Sequence, residues 1–206
     1  MKKLEVFVLF VILTATTVLA QEKERLVDIQ SGIITMTSDL LGQTVITKKY
    51  YDDYGRKFAQ FTMEPYYEDG ERKDTLLIGK IRGDVNNIVV DYANKVLRVQ
   101  SRDSTEINFV NLSEEAIKKY KIKRLGEEEV CEKPCVKYSF SYKSQGQNLK
   151  YQVWVWKGVT LKKRVKSLFL DYESEATAIQ VDVPIDSTVF VVPDYPLEPW
   201  PEEAKH

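Results

Sequence analysis

The sequence contains almost no histidine: His206, its last residue, is the only one. Catalytic triads and dyads that use histidine, and metal sites built on imidazole, are therefore nearly excluded. The chain also lacks the GxGxxG and GxxxxGK(S/T) phosphate loops and the GxSxG nucleophile turn. Its 31 acidic residues would allow a glycosidase carboxylate pair, but no distinctive spacing marks one. We therefore predict a non-catalytic protein with no metal site and no cofactor.

Neither sign of charge predominates in the chain. The 30 basic and 31 acidic residues are interspersed, and the formal net charge is -1. A balanced surface creates no broad field that would attract nucleic acid or an anionic membrane. Nucleic acid is therefore not an expected partner.

Cysteine is scarce as well, with only Cys131 and Cys135 present. In an exported chain, two cysteines this close predict a local disulfide, which would add roughly 2 kcal/mol in the chain-entropy model. A C-x3-C metal clip is the alternative, but it lacks the two further ligands of a structural zinc site.

Long hydrophobic runs are absent except at the start, MKKLEVFVLFVILTATTVLA. Two lysines, a short apolar run from Val6 to about Leu13 and small residues before Gln21 are typical of a secretory signal peptide. We predict a signal peptide over residues 1–20, cleaved near Ala20, and a periplasmic or secreted mature protein. An uncleaved anchor remains an alternative.

The rest of the chain consists of short runs rich in β-branched and aromatic residues, separated by Gly, Asp and Asn. Ten or more such runs, including KFAQFTM, CVKYSFSYK and LKYQVWVWK, predict an antiparallel all-β domain over residues 21–193. The proline-rich residues 194–206 predict an extended tail outside the core, pinned by Trp200.

One segment, SEEAIKKYK from Ser113 to Lys121, predicts a helix. Ser113 is suited to cap its first turn, acids follow at its start, and lysines lie near its end. Ala116, Ile117 and Tyr120 would form a narrow apolar stripe facing the sheet. For Gln21 to Ile29, the pattern leaves a short helix and a leading strand equally open.

The stretches YYDDYGRK, from Tyr50, and YYEDGERK, from Tyr66, resemble each other. An EF-hand loop is excluded because the adjacent acids and the early glycine do not match its ligand spacing. Asp53 with Gly55, and Asp69 with Gly70, instead predict two hairpin turns between alternating strands. Alternation also predicts that Tyr50 and Tyr51 point to opposite faces of the sheet.

Aromatic residues follow the strands at alternate positions. Tyr138, Phe140 and Tyr142 share one face, and Trp154 and Trp156 share a face of the next strand. Such residues either fill the core or line an apolar cavity on a curved sheet. The candidate ligand-binding residues are Phe61, Met63, Tyr138, Phe140, Trp154 and Trp156.

The order of these segments resembles that of exported proteins of Bacteroidetes-type bacteria and of the periplasmic lipoprotein-carrier superfamily, LolA-like and LolB-like. Four stretches carry the resemblance: the first hairpin with DDYG, the G-x-E-x-V motif and cysteine from Gly126 to Tyr138, WKGVTLK from Trp156 to Lys162, and a final strand that leads to FVVP, Phe190 to Pro193. The resemblance implies an open, strongly curved antiparallel sheet of about 10–11 strands, an incomplete barrel with one or two short helices covering its concave side.

In those carriers the concavity holds the acyl chains of lipoproteins. The resemblance therefore implies a non-catalytic envelope protein that binds a hydrophobic ligand, such as lipid, an acyl chain or a lipoprotein. For such a protein we also expect transient contact with the membrane or with envelope proteins, and a lid formed by Asn111 to Arg124 that shifts to release the ligand. The alternative is a secreted protein- or glycan-binding module with a filled core and no lipid cargo. Fold does not imply function, so the two hypotheses are distinguished by the interior of the sheet.

Overall fold

A computed structural model describes residues 24–40, 43–83, 86–101, 107–144, 147–168 and 171–200. The predicted signal peptide lies outside the described residues. Eleven strands, one α-helix and one 3-10 helix follow each other along the chain: β1 (Gly32–Leu40), β2 (Gln43–Asp52), β3 (Lys57–Glu68), β4 (Glu71–Arg82), β5 (Asn86–Asp91), β6 (Val96–Ser101), α1 (Glu114–Tyr120), β7 (Lys123–Val130), β8 (Lys133–Ser144), β9 (Gln147–Trp156), β10 (Val159–Lys166), β11 (Asp171–Val181) and the 3-10 helix Ser187–Phe190.

All eleven strands form one antiparallel sheet in the order β6-β5-β4-β3-β2-β1-β11-β10-β9-β8-β7. Its end strands, β6 and β7, do not pair with each other, so the sheet is open. The predicted fold class, a mainly β open sheet of about 10–11 strands with little helix, is therefore confirmed. Bulges in β1–β11, β3–β4, β7–β8 and β9–β10 are of the kind that bends strands and increases local twist.

Both predicted hairpin turns are present. Asp53, Tyr54 and Gly55 join β2 to β3 with positive φ angles, and Asp69 and Gly70 join β3 to β4 with φ of 52° and 79°. Glycine adopts this left-handed conformation freely, and aspartate adopts it more readily than β-branched residues do. The guanidinium of Arg56 also donates to the carboxylate of Asp53, which ties the first turn together.

The predicted helix is confirmed as α1. The Ser113 hydroxyl accepts a hydrogen bond from the Ala116 amide at 3.1 Å, and Glu114 and Glu115 lie in the first turn. Lys121 ends the helix in the left-handed conformation. Tyr120 is buried against the sheet, whereas Ile117 is exposed, so the apolar stripe is narrower than the sequence predicts.

Aromatic pairs form on both faces of the sheet. Tyr51 packs on Phe58 on one face, and Tyr50 packs on Phe61 on the other, with ring centroids 5.1 Å and 5.7 Å apart. This arrangement confirms that the two tyrosines point in opposite directions. The face that carries Tyr51 is called the inner face, and the face that carries Tyr50 is called the outer face.

The outer face is covered by the C-terminal segment. Phe190 of the 3-10 helix and Tyr195 pack against a cluster formed by Ala59, Ile81 and Val90. Further along, the Leu97 amide donates to the Pro196 carbonyl at 2.8 Å, and the Trp200 indole donates to the Val99 carbonyl at 2.7 Å. Of the predicted tail, residues 194–200 are described: Trp200 is held by its hydrogen bond to β6, and Tyr195 packs against the cluster on the outer face.

The predicted disulfide is not formed: Cys131 and Cys135 are separate thiols. The two residues occupy different environments in the β7–β8 hairpin. Cys131 and Glu132 form its two-residue turn, both with positive φ, whereas Cys135 is buried within β8 opposite Glu128. The Cys135 thiol donates to the Lys133 carbonyl at 3.4 Å, and burial raises its pKa to about 11.

In the described part of the chain, no helix combines the length and the apolar character needed to span a membrane.

Candidate functional site

The inner face encloses an open cavity of about 590 Å³. This volume falls within the roughly 300–1,000 Å³ range of small-molecule sites. Strands β2, β3, β4, β8, β9 and β10 contribute to its walls, and α1 and the segment before it contribute to its cover. The sheet's curvature and the short cover together leave this space unfilled by side chains.

One wall of the cavity is aromatic. Phe140 and Tyr142 of β8 and Tyr151 of β9 line it because they occupy alternate positions that face inward. Phe140 stacks on Tyr151, and Tyr142 contacts Tyr120 of the helix with centroids 6.4 Å apart. Burial raises the pKa of Tyr151, so its hydroxyl remains neutral at physiological pH. This wall offers flat apolar rings with a few polar hydroxyl groups.

The segment before β1 closes one end of the cavity. The Leu26 and Val27 amides donate to the Tyr54 carbonyl at 3.1 Å and 3.2 Å, and the Asp28 amide donates to the Lys157 carbonyl at 2.9 Å. Residues 24–31 are therefore neither helix nor strand, because their hydrogen bonds connect the β2–β3 turn to the β9–β10 turn.

The close approach of this segment explains the glycine in WKGVTLK. Gly158 has a φ of +79°, and a Cβ atom there would lie 2.4 Å from Val110 Cγ2 and 3.0 Å from the Leu26 carbonyl oxygen. Only glycine avoids both the backbone strain and the collision. The glycine of this motif thus allows the β9–β10 turn to pack closely against Leu26 and Val110 at this end of the cavity.

The floor of the cavity carries lysines. Lys49 of β2 lies directly opposite Gln60 of β3, and Gln60 lies opposite Lys80 of β4, so the three form one row across the sheet. Lys163 of β10 lines the same cavity. Burial, followed by repulsion from Lys163 and Lys80, lowers the pKa of Lys49 to about 7. Near neutral pH this amine is therefore present in both its charged and its neutral form.

Arg82 of β4 is a fourth basic residue at the cavity. Its guanidinium donates to the Gly55 carbonyl and lies 5.2 Å from the Phe58 ring centroid. These contacts anchor Arg82 near the closed end, where it supports the first hairpin turn.

Of the six candidate ligand-binding residues, the structure places Phe140 on the cavity wall. Tyr138 shares the inner face and packs on Phe109, which lines the cavity, with centroids 5.1 Å apart. The other four residues do not line the cavity: by strand register, Phe61 and Met63 of β3 and Trp154 and Trp156 of β9 lie on the opposite face. Both tryptophans pack in a buried hydrophobic cluster.

Trp154 is only 5% exposed although it faces away from the cavity. The Lys137 and Lys162 ammonium groups lie 4.6 Å and 5.4 Å from its ring centroid, and its indole donates to the Glu128 carboxylate at 2.6 Å. The alkyl portions of long basic side chains can cover apolar surface while their charged ends reach water. An aromatic residue in this strand is therefore buried without belonging to the ligand cavity.

Sequence reasoning missed the three lysines of the cavity floor. The signal available was the pair Lys48-Lys49 in the interior of β2, because adjacent strand residues point to opposite faces and one of the two must therefore face inward. The same holds for Lys162 and Lys163 in β10. Which lysine of each pair faces inward depends on the curvature of the whole sheet.

No family model matches the sequence, and no curated protein matches it. A solved structure described as an uncharacterized conserved protein from Thermus thermophilus is similar to this chain with a TM-score of 0.50 and 11% identity; the alignment covers 82% of this chain and 90% of that one. At this identity the likeness concerns the fold alone.

Two other similar structures align less well. The complex of Pseudomonas aeruginosa MucA and MucB gives a TM-score of 0.47 at 12% identity, over 79% of this chain and 56% of that one, so this chain spans little more than half of its length. A putative outer membrane lipoprotein-sorting protein domain from Vibrio parahaemolyticus gives a TM-score of 0.36 at 13% identity, over 78% of this chain and 88% of that one.

Proposed function

We propose that this chain is a non-catalytic envelope protein that shelters a hydrophobic ligand, such as a lipid or acyl chain, in the cavity on its inner face. The open cavity of about 590 Å³ with its aromatic wall carries the proposal. Removing apolar ligand surface from water would favour binding by roughly 25 cal/mol per Å². The N-terminal sequence, with its secretion-signal pattern, supports the envelope location.

The groups that face the cavity suit binding rather than bond cleavage. Aromatic rings and amines dominate the described lining, and Glu24 is its one carboxylate. Glu24 accepts a hydrogen bond from the Asn108 amide at 2.8 Å. A hydrolase of the glycosidase type needs two converging carboxylates, which this lining does not provide.

Release of the ligand would require the cover to move. The segment Asn111 to Arg124 is the proposed lid, because it contains α1 and because Tyr120 lines the cavity. The helix has only seven residues and sits mainly on β8, so few contacts would be broken when it shifts. A protein- or glycan-binding module with a filled core is the competing hypothesis, and the unfilled cavity favours the lipid-binding one.

The test is to isolate the mature protein from its own envelope and to extract it for mass spectrometry of bound lipid. The delipidated protein would then be titrated with a fluorescent fatty acid. We expect a co-purified lipid and saturable binding with a stoichiometry of about one, as the volume of the cavity suggests. Absence of bound lipid together with absence of fatty-acid binding would reject the proposal.

A further inference from the structure

The cavity lining carries an excess of positive charge, although the net charge of the whole chain is close to zero. Among the described residues, four basic side chains, Lys49, Lys80, Arg82 and Lys163, line it together with one acidic side chain, Glu24. The formal net charge of the whole chain is -1. The excess of cations is therefore a property of this site, not of the surface in general.

Lys162 and Lys163 are adjacent in β10 but face different groups, because only Lys162 lies next to carboxylates. Lys162 contacts the Glu173 and Glu175 carboxylates at 3.0 Å and 2.6 Å on the outer face. Lys163, the next residue, faces the cavity and is paired across the strands with Ser174 and Val153, which carry no charge. Within the described part of the chain, the ammonium groups of Lys49 and Lys163 form no ion pair.

The charged form of Lys49 is costly for the empty protein. Moving an ammonium group away from water and placing it near others of the same sign both disfavour its charged form. The low pKa of Lys49 reflects these two causes. A bound anion would remove the cost, because a negative charge among the amines replaces repulsion with charge-assisted hydrogen bonds.

The row of Lys49, Gln60 and Lys80 and the stacked pair of Phe140 and Tyr151 line the cavity from different strands. Gln60 lies between Lys49 and Lys80 in the register of β2, β3 and β4, and Lys163 and Thr160 line the cavity from β10. The rings of Phe140 and Tyr151 form a wall on β8 and β9. A ligand that satisfies both regions has a charged end and an apolar end.

We propose, building on the hydrophobic-ligand function above, that the cavity is specific for a single-chain amphiphile with an anionic head, a carboxylate or a phosphate monoester. The head lies among Lys49, Lys80 and Lys163, and the chain lies along Phe140 and Tyr151. The lysines thus select the chemical class of the ligand, while the aromatic wall binds its apolar part.

The test compares ligands that share a twelve-carbon chain and differ in the head: laurate, dodecyl phosphate, dodecanol and dodecyltrimethylammonium. Each competes with the neutral dye N-phenyl-1-naphthylamine for the full mature chain, and inorganic phosphate is added as an anion without a chain. The variants are Lys49→Met and Lys163→Met. The matched control is Lys48→Met, which removes an adjacent lysine from the opposite face of β2.

We expect the affinities for laurate and dodecyl phosphate to exceed that for dodecanol by at least about tenfold. The cationic amphiphile should bind most weakly. Lys49→Met and Lys163→Met should each reduce that preference severalfold and leave dodecanol unchanged, while Lys48→Met alters neither. Circular dichroism verifies that each variant is folded. Because methionine relieves the burial of an ammonium group, we expect both variants to fold.

Equal affinity for laurate and dodecanol would overturn the anionic selectivity and leave the hydrophobic-ligand function standing. Failure of every chain and of the dye to bind would instead overturn the function itself. If inorganic phosphate competed as strongly as dodecyl phosphate, the apolar chain would contribute nothing to binding. That result would reject an amphiphilic ligand and indicate a simple anion site. An unchanged preference in both cavity variants would show that these lysines do not hold the head.

Discussion

Phe140 and Tyr151 lie ring on ring on the cavity wall, with centroids 4.8 Å apart and planes within 2° of parallel. The two residues are direct partners in the β8–β9 ladder, so the sheet itself holds the rings together. A wall fixed in this way presents a flat apolar surface before any ligand arrives, which reduces the ordering cost of binding.

Phe140→Ala should weaken binding of an apolar probe by about tenfold, because the ring supplies apolar contact area to the ligand. The measurement is a titration with the fluorescent fatty acid. The matched control is Phe61→Ala on the outer face, where Phe61 packs on Tyr50 and Tyr92. That substitution should lower the free energy of unfolding by about 3 kcal/mol and leave the affinity of the folded protein unchanged. Equal losses of affinity in the two variants would contradict the assignment of faces.

Lys49→Met should stabilise the protein, and most strongly at low pH. The ordinary pKa of 10.5 applies to the unfolded chain, and the folded pKa is about 7. Below pH 7 both states carry the proton, so the native state bears the full cost of a buried charge. Between pH 7 and 10.5 the unfolded state binds more protons, and wild-type stability rises with pH.

The stabilisation by Lys49→Met is expected to be about 2 kcal/mol at pH 6, after allowance for partial solvent access, and to diminish toward pH 10. Urea unfolding at pH 6, 8 and 10 measures it. Lys48→Met, on the outer face, should show no such pH dependence. A constant difference between Lys49→Met and wild type across this range would show that Lys49 titrates normally.

Binding of an anionic amphiphile should be accompanied by uptake of a proton near neutral pH. The anion stabilises the charged form of Lys49 and raises its pKa, so the affinity is expected to fall as pH rises above about 7. Calorimetry in two buffers of different ionisation enthalpy measures the protons taken up. Lys49→Met should abolish the difference between the buffers, and a difference that persists would assign the proton to another group. Among the described residues, the other titratable or charged side chains lining the cavity are Glu24, Tyr51, Lys80, Arg82, Tyr120, Tyr142, Tyr151 and Lys163.

One thiol should react quickly in the native protein and two in the unfolded protein. Cys131 is partly exposed in a turn, whereas Cys135 is 1% exposed and has a pKa of about 11. The thiolate is the reactive form, so Cys135 should be inert to alkylation at pH 8. Mass spectrometry after iodoacetamide treatment counts the labelled sites, and Cys131→Ser should eliminate fast labelling. A native, unreduced protein with no reactive thiol even in denaturant would instead indicate the disulfide predicted from sequence.

The strands, the helix and the two hairpin turns could be predicted from the sequence because each depends on local physics. Alternation of apolar residues defines a strand, and Ser113 or Asp69-Gly70 determines a helix start or a turn within a few residues. The opposite orientations of Tyr50 and Tyr51 follow from the same alternation. These features require no knowledge of distant contacts.

The face of the sheet that lines the cavity could not be predicted in the same way. Trp154 and Tyr151 are equally plausible cavity residues until the direction of the sheet's curvature is known. The positions of lysines do not distinguish the two faces, because Lys137 and Lys162 cover Trp154 on the outer face while Lys49 lies on the inner face. A hydrophobic/polar pattern assigns every lysine in a strand to the solvent-facing side. Such a pattern therefore does not identify lysines that line a cavity.

The two ends of the sheet have a consequence for how copies of this protein meet. At β6, the backbone groups of Leu97 pair with Pro196 and Glu198 of the tail. At β7, seven of the eight residues are exposed, and Lys123, Arg124 and Glu127 to Glu129 are charged. Unprotected edge strands allow chains to join edge to edge into fibres, and covering strands or charges prevent it. The sheet can thus remain open, as a cavity requires, without serving as a template for aggregation.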